Sequence, residues 1–473
     1  MSQKCKLGMI GLGVMGQNFA LNLADKGFAV AGFDVDKGKV NSFRDAGKGK
    51  PIATAQTMDE FLSKLSSPKV VMMLVPAGAP VDAVLKELVP KLSPGDIVID
   101  GGNSYYKDTS VRFQNLAKKG IYFFGVGVSG GEEGARHGPS LMPGGNKEAY
   151  PQIASLLEAA SAKVNGDPCV AYLGPGCAGH FVKMVHNGIE YALMELIAES
   201  YDLMKRGLGF DDESIETVFK DWNKSELKGY LVEITSRIFG VIDPNTHKRL
   251  IDEILAVAKQ KGTGMWTSQA AGEMQVPIPT IDTAVSRRDL TGFVEERILA
   301  STALRRKIHR FEGDKKLFLD NLKKAFHTSM IISYAQGMAL LKVASEKMGF
   351  DLDLETVARI WRGGCIIRSD FLERIRKAFK QNPTLPNILL DSDIDQTIFE
   401  NEEGLRYIVS KGVEMGISIP SFMASISYLD GYRSEWLPAN LIQAERDYFG
   451  AHTYERIDEK GTFHTNWEQS EIV

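Results

Sequence analysis

Lys6-Leu7-Gly8-Met9-Ile10 runs directly into Gly11-Leu12-Gly13-Val14-Met15-Gly16, and the reading of that join decides the fold of the first third of the chain. The short apolar run predicts a buried strand, and the pattern from Gln17 to about Lys26 predicts a helix. The glycines between them follow G-x-G-x-x-G in its confirming context, strand before and helix after. There Gly11 permits the tight turn, Gly13 lets a pyrophosphate approach the backbone, and Gly16 lets the helix pack closely on the strand. The helix N-terminus then offers unbonded N–H groups to phosphate. A glycine-rich turn in an unrelated α/β protein is the alternative. A second strand, Phe28 to Phe33, ends at Asp34, 18 residues beyond Gly16. A carboxylate there accepts hydrogen bonds from the adenine-ribose hydroxyls and repels a 2′-phosphate. Val35 and Asp36 follow, so no arginine stands at the strand end. The plainer reading of Asp34 is a turn residue. The residues favour NAD over NADP, with Lys37 and Lys39 as the opposing signal.

The alternation continues outward from this unit. A helix over Met58–Leu65 precedes a strand over Val70–Val75, and Val75-Pro76-Ala77-Gly78 turns beside the expected cofactor. Helix Val81–Leu88, strand Asp96–Asp100, helix Asp108–Lys119 and strand Ile121–Val126 complete a doubly wound parallel sheet. Ligands of such sheets bind outside the carboxyl ends of the strands. Two loops leave there: Asp100-Gly101-Gly102-Asn103-Ser104, and Val128 to Gly138 with Ser129-Gly130-Gly131. Asn103 and Ser129 offer neutral hydrogen bonds to hydroxyl or carboxylate oxygens. Glu132, Glu133 and His137 read as solvated loop residues.

With 473 residues the chain holds two or three domains. Its 44% hydrophobic and 25% charged content is that of a soluble globular protein. A formal net charge of −4 speaks against a nucleic-acid or membrane-surface binder. Cys5, Cys169, Cys177 and Cys365 form no CxxC pair and no metal-ligand spacing, so free thiols in a reducing cytoplasm and no metal are expected. The first strand begins too early for a leader peptide, and no apolar run could span a bilayer.

A second stretch carries the chemistry. Gly179-His180-Phe181-Val182-Lys183-Met184-Val185-His186-Asn187-Gly188-Ile189-Glu190-Tyr191 opens a helical run from Phe181 to about Arg206. Lys183, Asn187 and Glu190 fall at i, i+4 and i+7 on one face, flanked by His186 and Tyr191. Apolar residues cover the other faces, as in a helix buried on most sides. An intrahelical polar network at a domain junction is the alternative.

Five stretches together resemble the 6-phosphogluconate dehydrogenases, the decarboxylating enzymes of the pentose phosphate pathway. They are Gly11 to Asn18; Ile99-Asp100-Gly101-Gly102-Asn103-Ser104; Val128 to Gly145, ending Pro139-Ser140-Leu141-Met142-Pro143-Gly144-Gly145; Gly179 to Tyr191; and Ala444 to Tyr454. The resemblance implies a Rossmann-type domain over 1–177, a large all-α domain over 178–434, and a C-terminal arm over 435–473 reaching the partner of a homodimer. One departure stands out. NADP-using members carry Asn-Arg-Thr where this chain has Asp34-Val35-Asp36, so NADP, the commoner cofactor of the family, becomes the alternative to NAD.

Beyond Gly174-Pro175-Gly176 the pattern is helical, with an internal echo. His186, Gly209-Phe210-Asp211, Glu216-Thr217-Val218 and Trp222 recur as His327, Gly349-Phe350-Asp351, Glu355-Thr356-Val357 and Trp361, offset by roughly 140 residues. Lys324 stands where Lys183 would be, but Thr328, Ile331 and Ile332 replace Asn187, Glu190 and Tyr191. A duplicated bundle with one catalytic copy follows. Lys261-Gly262-Thr263-Gly264 reads as a phosphate nest or as an ordinary helix-end lysine. Arg287 and Arg288 read as surface charges until the resemblance selects Arg288 as a phosphate contact. Trp436, Tyr448, Phe449, Phe463 and Trp467 in the tail need somewhere to be buried, which suits an exchanged arm.

The resemblance implies oxidative decarboxylation of 6-phosphogluconate to ribulose 5-phosphate and CO2. Lys183 would act as base and Glu190 as acid. Asn103, Ser129, Gly130, Gly131, His186 and Asn187 would orient the sugar acid. Tyr191, Lys261, Thr263, Arg288 and Arg446 of the partner subunit would hold the phosphate, with His452 closing the site. The cofactor would lie along Gly11–Gly16, Asp34–Asp36, Val75–Ala77 and Asn103. The alternatives are a dehydrogenase of a smaller β-hydroxy acid and a non-catalytic dinucleotide-binding regulator.

Overall fold

The computed structural model describes residues 4–305 and 309–468. Its first part alternates strand and helix: β1 (Leu7–Ile10), α1 (Val14–Asp25), β2 (Val30–Phe33), α2 (Lys37–Ala46), β3 (Ile52–Thr54), α3 (Met58–Ser63), β4 (Val70–Met73), α4 (Ala79–Leu88), β5 (Ile97–Asp100), α5 (Tyr106–Ala117), β6 (Tyr122–Ser129), α6 (Gly131–His137), β7 (Ser140–Gly145) and α7 (Tyr150–Ala160). The seven strands lie in the order β3-β2-β1-β4-β5-β6-β7. Val70 and Met72 of β4 enter the apolar cluster on one face of the sheet, and Val71 and Met73 the cluster on the other. Both faces are covered, as a parallel sheet requires.

Registers align the functional edge. Ile10 pairs with Phe33 and Met73, and Met73 pairs with Asp100. The glycine-rich turn, Asp34, the Val75–Gly78 turn and the Asn103 loop therefore all leave the sheet at one level.

Three expectations need correcting. The sheet is not wholly parallel: β7 runs antiparallel to β6, pairing Ser140 with Ser129. That partner extends β6 to Ser129, past the expected end at Val126, and places Ser129 in the sheet rather than on a loop. The stretch after it is a helix, α6, on which Glu132, Glu133 and His137 are exposed. The short strand β3 was unforeseen, since three half-buried residues carry almost no periodic signal.

The helical part begins with α8 (Ala178–Asp202), three residues ahead of the expected start. It loosens into a π-helical turn over Leu203–Gly207 rather than ending as α-helix at Arg206. There follow α9 (Asp212–Trp222), α10 (Tyr230–Phe239), α11 (Thr263–Met274), α12 (Pro279–Thr291), α13 (Val294–Ala303), α14 (Lys315–Met348), α15 (Leu354–Trp361), α16 (Phe371–Gln381), α17 (Ser392–Met415), α18 (Pro420–Tyr432) and α19 (Ala439–Gly450). Asp211 caps α9 through the N–H of Ser214, and Asp353 caps α15 through Glu355. In the echo the capping carboxylate thus falls two residues past Asp351, which lies at φ 56°.

α8 packs against β6, β7, α11, α12 and α14, and α14 packs along α17. A Cβ at Gly127 would stand 2.4 Å from the Cβ of Lys183, so glycine in β6 is what lets α8 lie on the sheet. The chain divides into two compact units, one ending at Ser425 and one beginning at Ile426. The sheet and the helices to Ser425 thus share one body, while the second unit opens inside α18, nine residues ahead of 435. Within the second unit the buried Asp447 accepts from the N–H groups of Thr453 and Thr465 and from Trp467 Nε1, and meets His464. Among the described residues no helix is long and apolar enough to cross a membrane.

Candidate active site

The dinucleotide cradle is built largely of backbone. Gly11 turns at φ +91° and donates its N–H to the Phe33 carbonyl. A Cβ at Gly16 would lie 1.8 Å from the Gly11 carbonyl oxygen, so only glycine lets α1 start this close to β1. A Cβ at Gly13 would meet no protein atom within 4 Å. Gly13 also caps α1 without a side-chain bond, leaving the N–H groups of its first turn for an anion, beside the exposed Val14. Leu12 is buried and Met15 packs on the sheet core. These residues fit a bound pyrophosphate.

Asp34 is held in place by that same turn. Its Oδ2 accepts from the Leu12 N–H at 2.7 Å, and its Oδ1 from the Asp36 N–H at 2.9 Å. Asp36 spends its own carboxylate on the Gly38 N–H, at the start of α2, at 2.8 Å. Val35 points into solvent. Lys39 Nζ lies 4.0 Å from Asp34 Oδ2, so the opposing cation is already engaged by the carboxylate. Pro76, Ala77 and Asn103 are exposed at the same edge, with Val75 half-buried behind them.

The polar stripe of α8 forms one connected cluster. Lys183 Nζ donates to Asn187 Oδ1 at 2.6 Å and stands 3.4 Å from His186 Nδ1. Asn187 Nδ2 donates to Thr263 Oγ1 at 3.2 Å, tying α8 to the first residue of α11. His186 Nδ1 lies 3.0 Å from Asn187 Oδ1 and 3.8 Å from Glu190 Oε2. With Nδ1 carrying the proton toward these acceptors, Nε2 is left to accept from the Ser129 hydroxyl at 3.2 Å or the Cys365 thiol at 3.0 Å. The imidazole meets Trp361 edge-on, 5.6 Å between centroids.

Burial sets the charges here. It pulls the Lys183 ammonium below its ordinary range, opposed by the Glu190 carboxylate and Cys365. It pushes Glu190 up, opposed by Lys183 and Arg288. It holds His186 well below its usual value, helped by the Lys183 charge and opposed by Asn187, so the ring is neutral. Burial thus draws the amine toward its neutral form and the carboxyl toward its protonated form on one helix.

Tyr191 is buried one residue on, and the Arg288 guanidinium stacks 3.5 Å over its ring centroid. Lys261 is exposed just before Gly262, which turns at φ +95° into α11. Gly130 and Gly131 start α6 with φ +107° and +61°. The stripe, Ser129, Thr263, Arg288 and Tyr191 are thus brought together within the first unit. Arg446 and His452 belong to the second, where Arg446 Nη1 donates to Gln443 Oε1 and His452 meets the Phe449 ring.

Sequence reasoning missed Cys365 and Ile366. The Cys365 thiol is fully buried and its pKa is pushed up to about 12 by burial, and the Ile366 N–H lies 3.4 Å from Ser129 Oγ. A cysteine 179 residues from the histidine it touches leaves no local signal.

Two family models match the chain. One, the NAD binding domain of 6-phosphogluconate dehydrogenase, covers residues 6–174. The other, the 6-phosphogluconate dehydrogenase C-terminal domain, covers 179–467. The NADP(+)-dependent, decarboxylating 6-phosphogluconate dehydrogenase of Bacillus subtilis is 48% identical over 98% of this chain and 99% of its own length. The decarboxylating enzyme of Synechocystis is 49% identical, with 98% of each chain covered. A solved structure of the Plasmodium falciparum enzyme, studied apo, with its cofactor NADP+ and with its substrate 6-phosphogluconate, superposes at a TM-score of 0.95 with 42% identity, covering 98% of this chain and 100% of that one. With nearly its whole length matched, the chain belongs to the 6-phosphogluconate dehydrogenase family.

Proposed function

We propose that the protein oxidises 6-phosphogluconate at carbon 3 and decarboxylates the product to ribulose 5-phosphate and CO2. The observation that supports this most is the buried Lys183, drawn toward neutrality on the same helical face as a Glu190 drawn toward protonation. A bound nicotinamide dinucleotide supplies the hydride acceptor. Neutral Lys183 takes the proton of the 3-hydroxyl as hydride leaves the carbon. The ketone then draws in the electrons of the carbon 1–carbon 2 bond as CO2 departs, and the new ammonium of Lys183 stabilises the enolate oxygen and returns its proton there. Glu190 delivers a proton to carbon 1 of the enediol while Lys183, neutral again, takes the proton of the carbon 2 hydroxyl, which sets the ketone of the product. Ser129, His186, Asn187 and Asn103 orient the sugar acid, and the Gly130-Gly131 turn brings backbone N–H groups near it. Tyr191, Lys261, Thr263 and Arg288 receive the phosphate, joined by Arg446 of the partner subunit, with the partner's His452 over the site. This needs a homodimer that exchanges arms.

For the cofactor, the Bacillus subtilis and Plasmodium falciparum relatives use NADP+, while this chain carries Asp34 at the end of β2, where a carboxylate repels a 2′-phosphate. We infer a preference for NAD. The functional test is to add 6-phosphogluconate and dinucleotide to purified protein and follow reduced cofactor and CO2. Equal amounts of the two are expected. Turnover of unphosphorylated hydroxy acids alone would overturn the substrate assignment.

A further inference from the structure

Arg112 of α5 is buried, and its guanidinium reaches the two loops that leave β4 and β5. Nη2 donates to the Gly78 carbonyl at 3.2 Å, and Nε donates to Asp82 Oδ1, in the first turn of α4, at 2.8 Å. Nη1 lies 3.5 Å from Asp100 Oδ2, in ion-pair range. Asp100 is itself fully buried and turns the contact outward: its Oδ1 accepts from the Gly102 N–H at 3.0 Å and its Oδ2 from the Ser104 hydroxyl at 2.7 Å. Gly78 closes the Val75-Pro76-Ala77 turn, and Gly102 and Ser104 bracket Asn103. Because Met73 pairs with Asp100, this turn and this loop begin side by side.

We infer that Arg112 is a positioning residue that sets the spacing between the Pro76–Ala77 turn and the Asn103 loop, and so the width of the cleft that receives the dinucleotide. This rests on the reading of those two loops as cofactor-binding. A buried ion pair by itself is weak support for stability, and an apolar residue of similar volume often replaces one without loss. The contacts of Arg112 have another character. Each acceptor is backbone or carboxylate of a segment bordering the cleft, and an apolar side chain would fill the space while releasing both. A planar guanidinium with donors fixed in three directions makes a rigid spacer, which a lysine ammonium on a flexible stem does not.

The test is dinucleotide binding by calorimetry on the full-length protein without substrate, with thermal unfolding measured alongside. Arg112→Lys is expected to weaken dinucleotide binding about tenfold or more, from the loss of the charge-assisted hydrogen bond to the Gly78 turn and of the fixed ion pair with Asp100. The unfolding temperature should stay near that of the parent, since charge and most of the volume remain. Asp82→Ala, which removes the solvent-side partner, should leave the affinity within about twofold, because the contacts to both loops survive. Should Arg112→Lys fail to fold, Ser104→Ala replaces it and should weaken binding about threefold by loosening Asp100 from the Asn103 loop. Parent-like affinity in Arg112→Lys, or in Ser104→Ala if that variant is used, overturns the inference. A protein that binds dinucleotide but ignores 6-phosphogluconate overturns the functional reading and leaves the inference standing.

Discussion

Lys183 and Lys324 occupy echoing positions in the sequence, yet Lys183 is buried and Lys324 is exposed. Burial makes one of them a candidate base, because desolvation disfavours the charged amine. The proton logic of the proposed reaction needs a deprotonated Lys183 and a protonated Glu190, so kcat/KM should trace a bell against pH. Glu190→Gln leaves only the requirement for a neutral Lys183, whose depressed pKa is passed as pH rises. Its profile should therefore climb with pH to a plateau, with kcat lower by about 10²- to 10⁴-fold. A retained bell or parent-like turnover would remove Glu190 from the mechanism. At Asp34 the expectation concerns specificity. A like-charge contact at about 5 Å costs roughly 1–3 kcal/mol across effective dielectrics of about 20–80. NAD should thus exceed NADP in kcat/KM by about fivefold to 150-fold, and Asp34→Asn with Val35→Arg should narrow or reverse the ratio. An NADP preference in the parent sinks this reading. The polar residues of α8 were legible because they repeat at helical spacing. Cys365 was not, because only the folded chain carries it to His186.

At the scale of elements, the sequence announced the strand–turn–helix joins more clearly than the element ends. Asp36, Thr57 and Asp211 cap helices through side-chain acceptors. The start of α8 has no such capping side chain, and the expectation there fell three residues late. The antiparallel β7 was read only as part of a motif, since its Pro143-Gly144-Gly145 end lacks strand propensity and pairing with β6 supplies what propensity does not. The packing of α8 on that pair depends on small residues. Gly127→Ala should push α8 and Lys183 away from β6, since the added methyl falls 2.4 Å from the Lys183 Cβ. The expected cost is about 1–3 kcal/mol in urea unfolding, typical of overpacking. A displaced Lys183 should also lower kcat. Unchanged stability and turnover would mean that the helix is not seated by this contact.

At the scale of the whole molecule, each compact unit leaves apolar surface uncovered. In the first, Phe293, Ile298, Leu299 and Leu304 around α13 are exposed. In the second, Trp436, Leu441, Ile442, Tyr448 and Phe449 are exposed on and before α19. Exposed apolar residues gathered around α13 and α19 suit an interface, and they give the proposed exchange of arms a physical motive. The sequence hinted at this through the aromatic residues of its tail, but a tail sequence does not say which copy it serves. Two inactive variants can decide it. Lys183→Ala removes the base from its own subunit, and Arg446→Ala removes the phosphate contact that an exchanged arm would deliver to the partner. Each alone should be nearly inactive. Co-refolded in equal amounts, half of the dimers pair one variant with the other. With exchange, each mixed dimer holds one site with both Lys183 and Arg446 intact, so about a quarter of parent activity should return. If every arm serves its own subunit, no site in the mixture is whole and activity stays at the level of the separate variants. That result would refute the exchange while leaving the chemistry of α8 untouched.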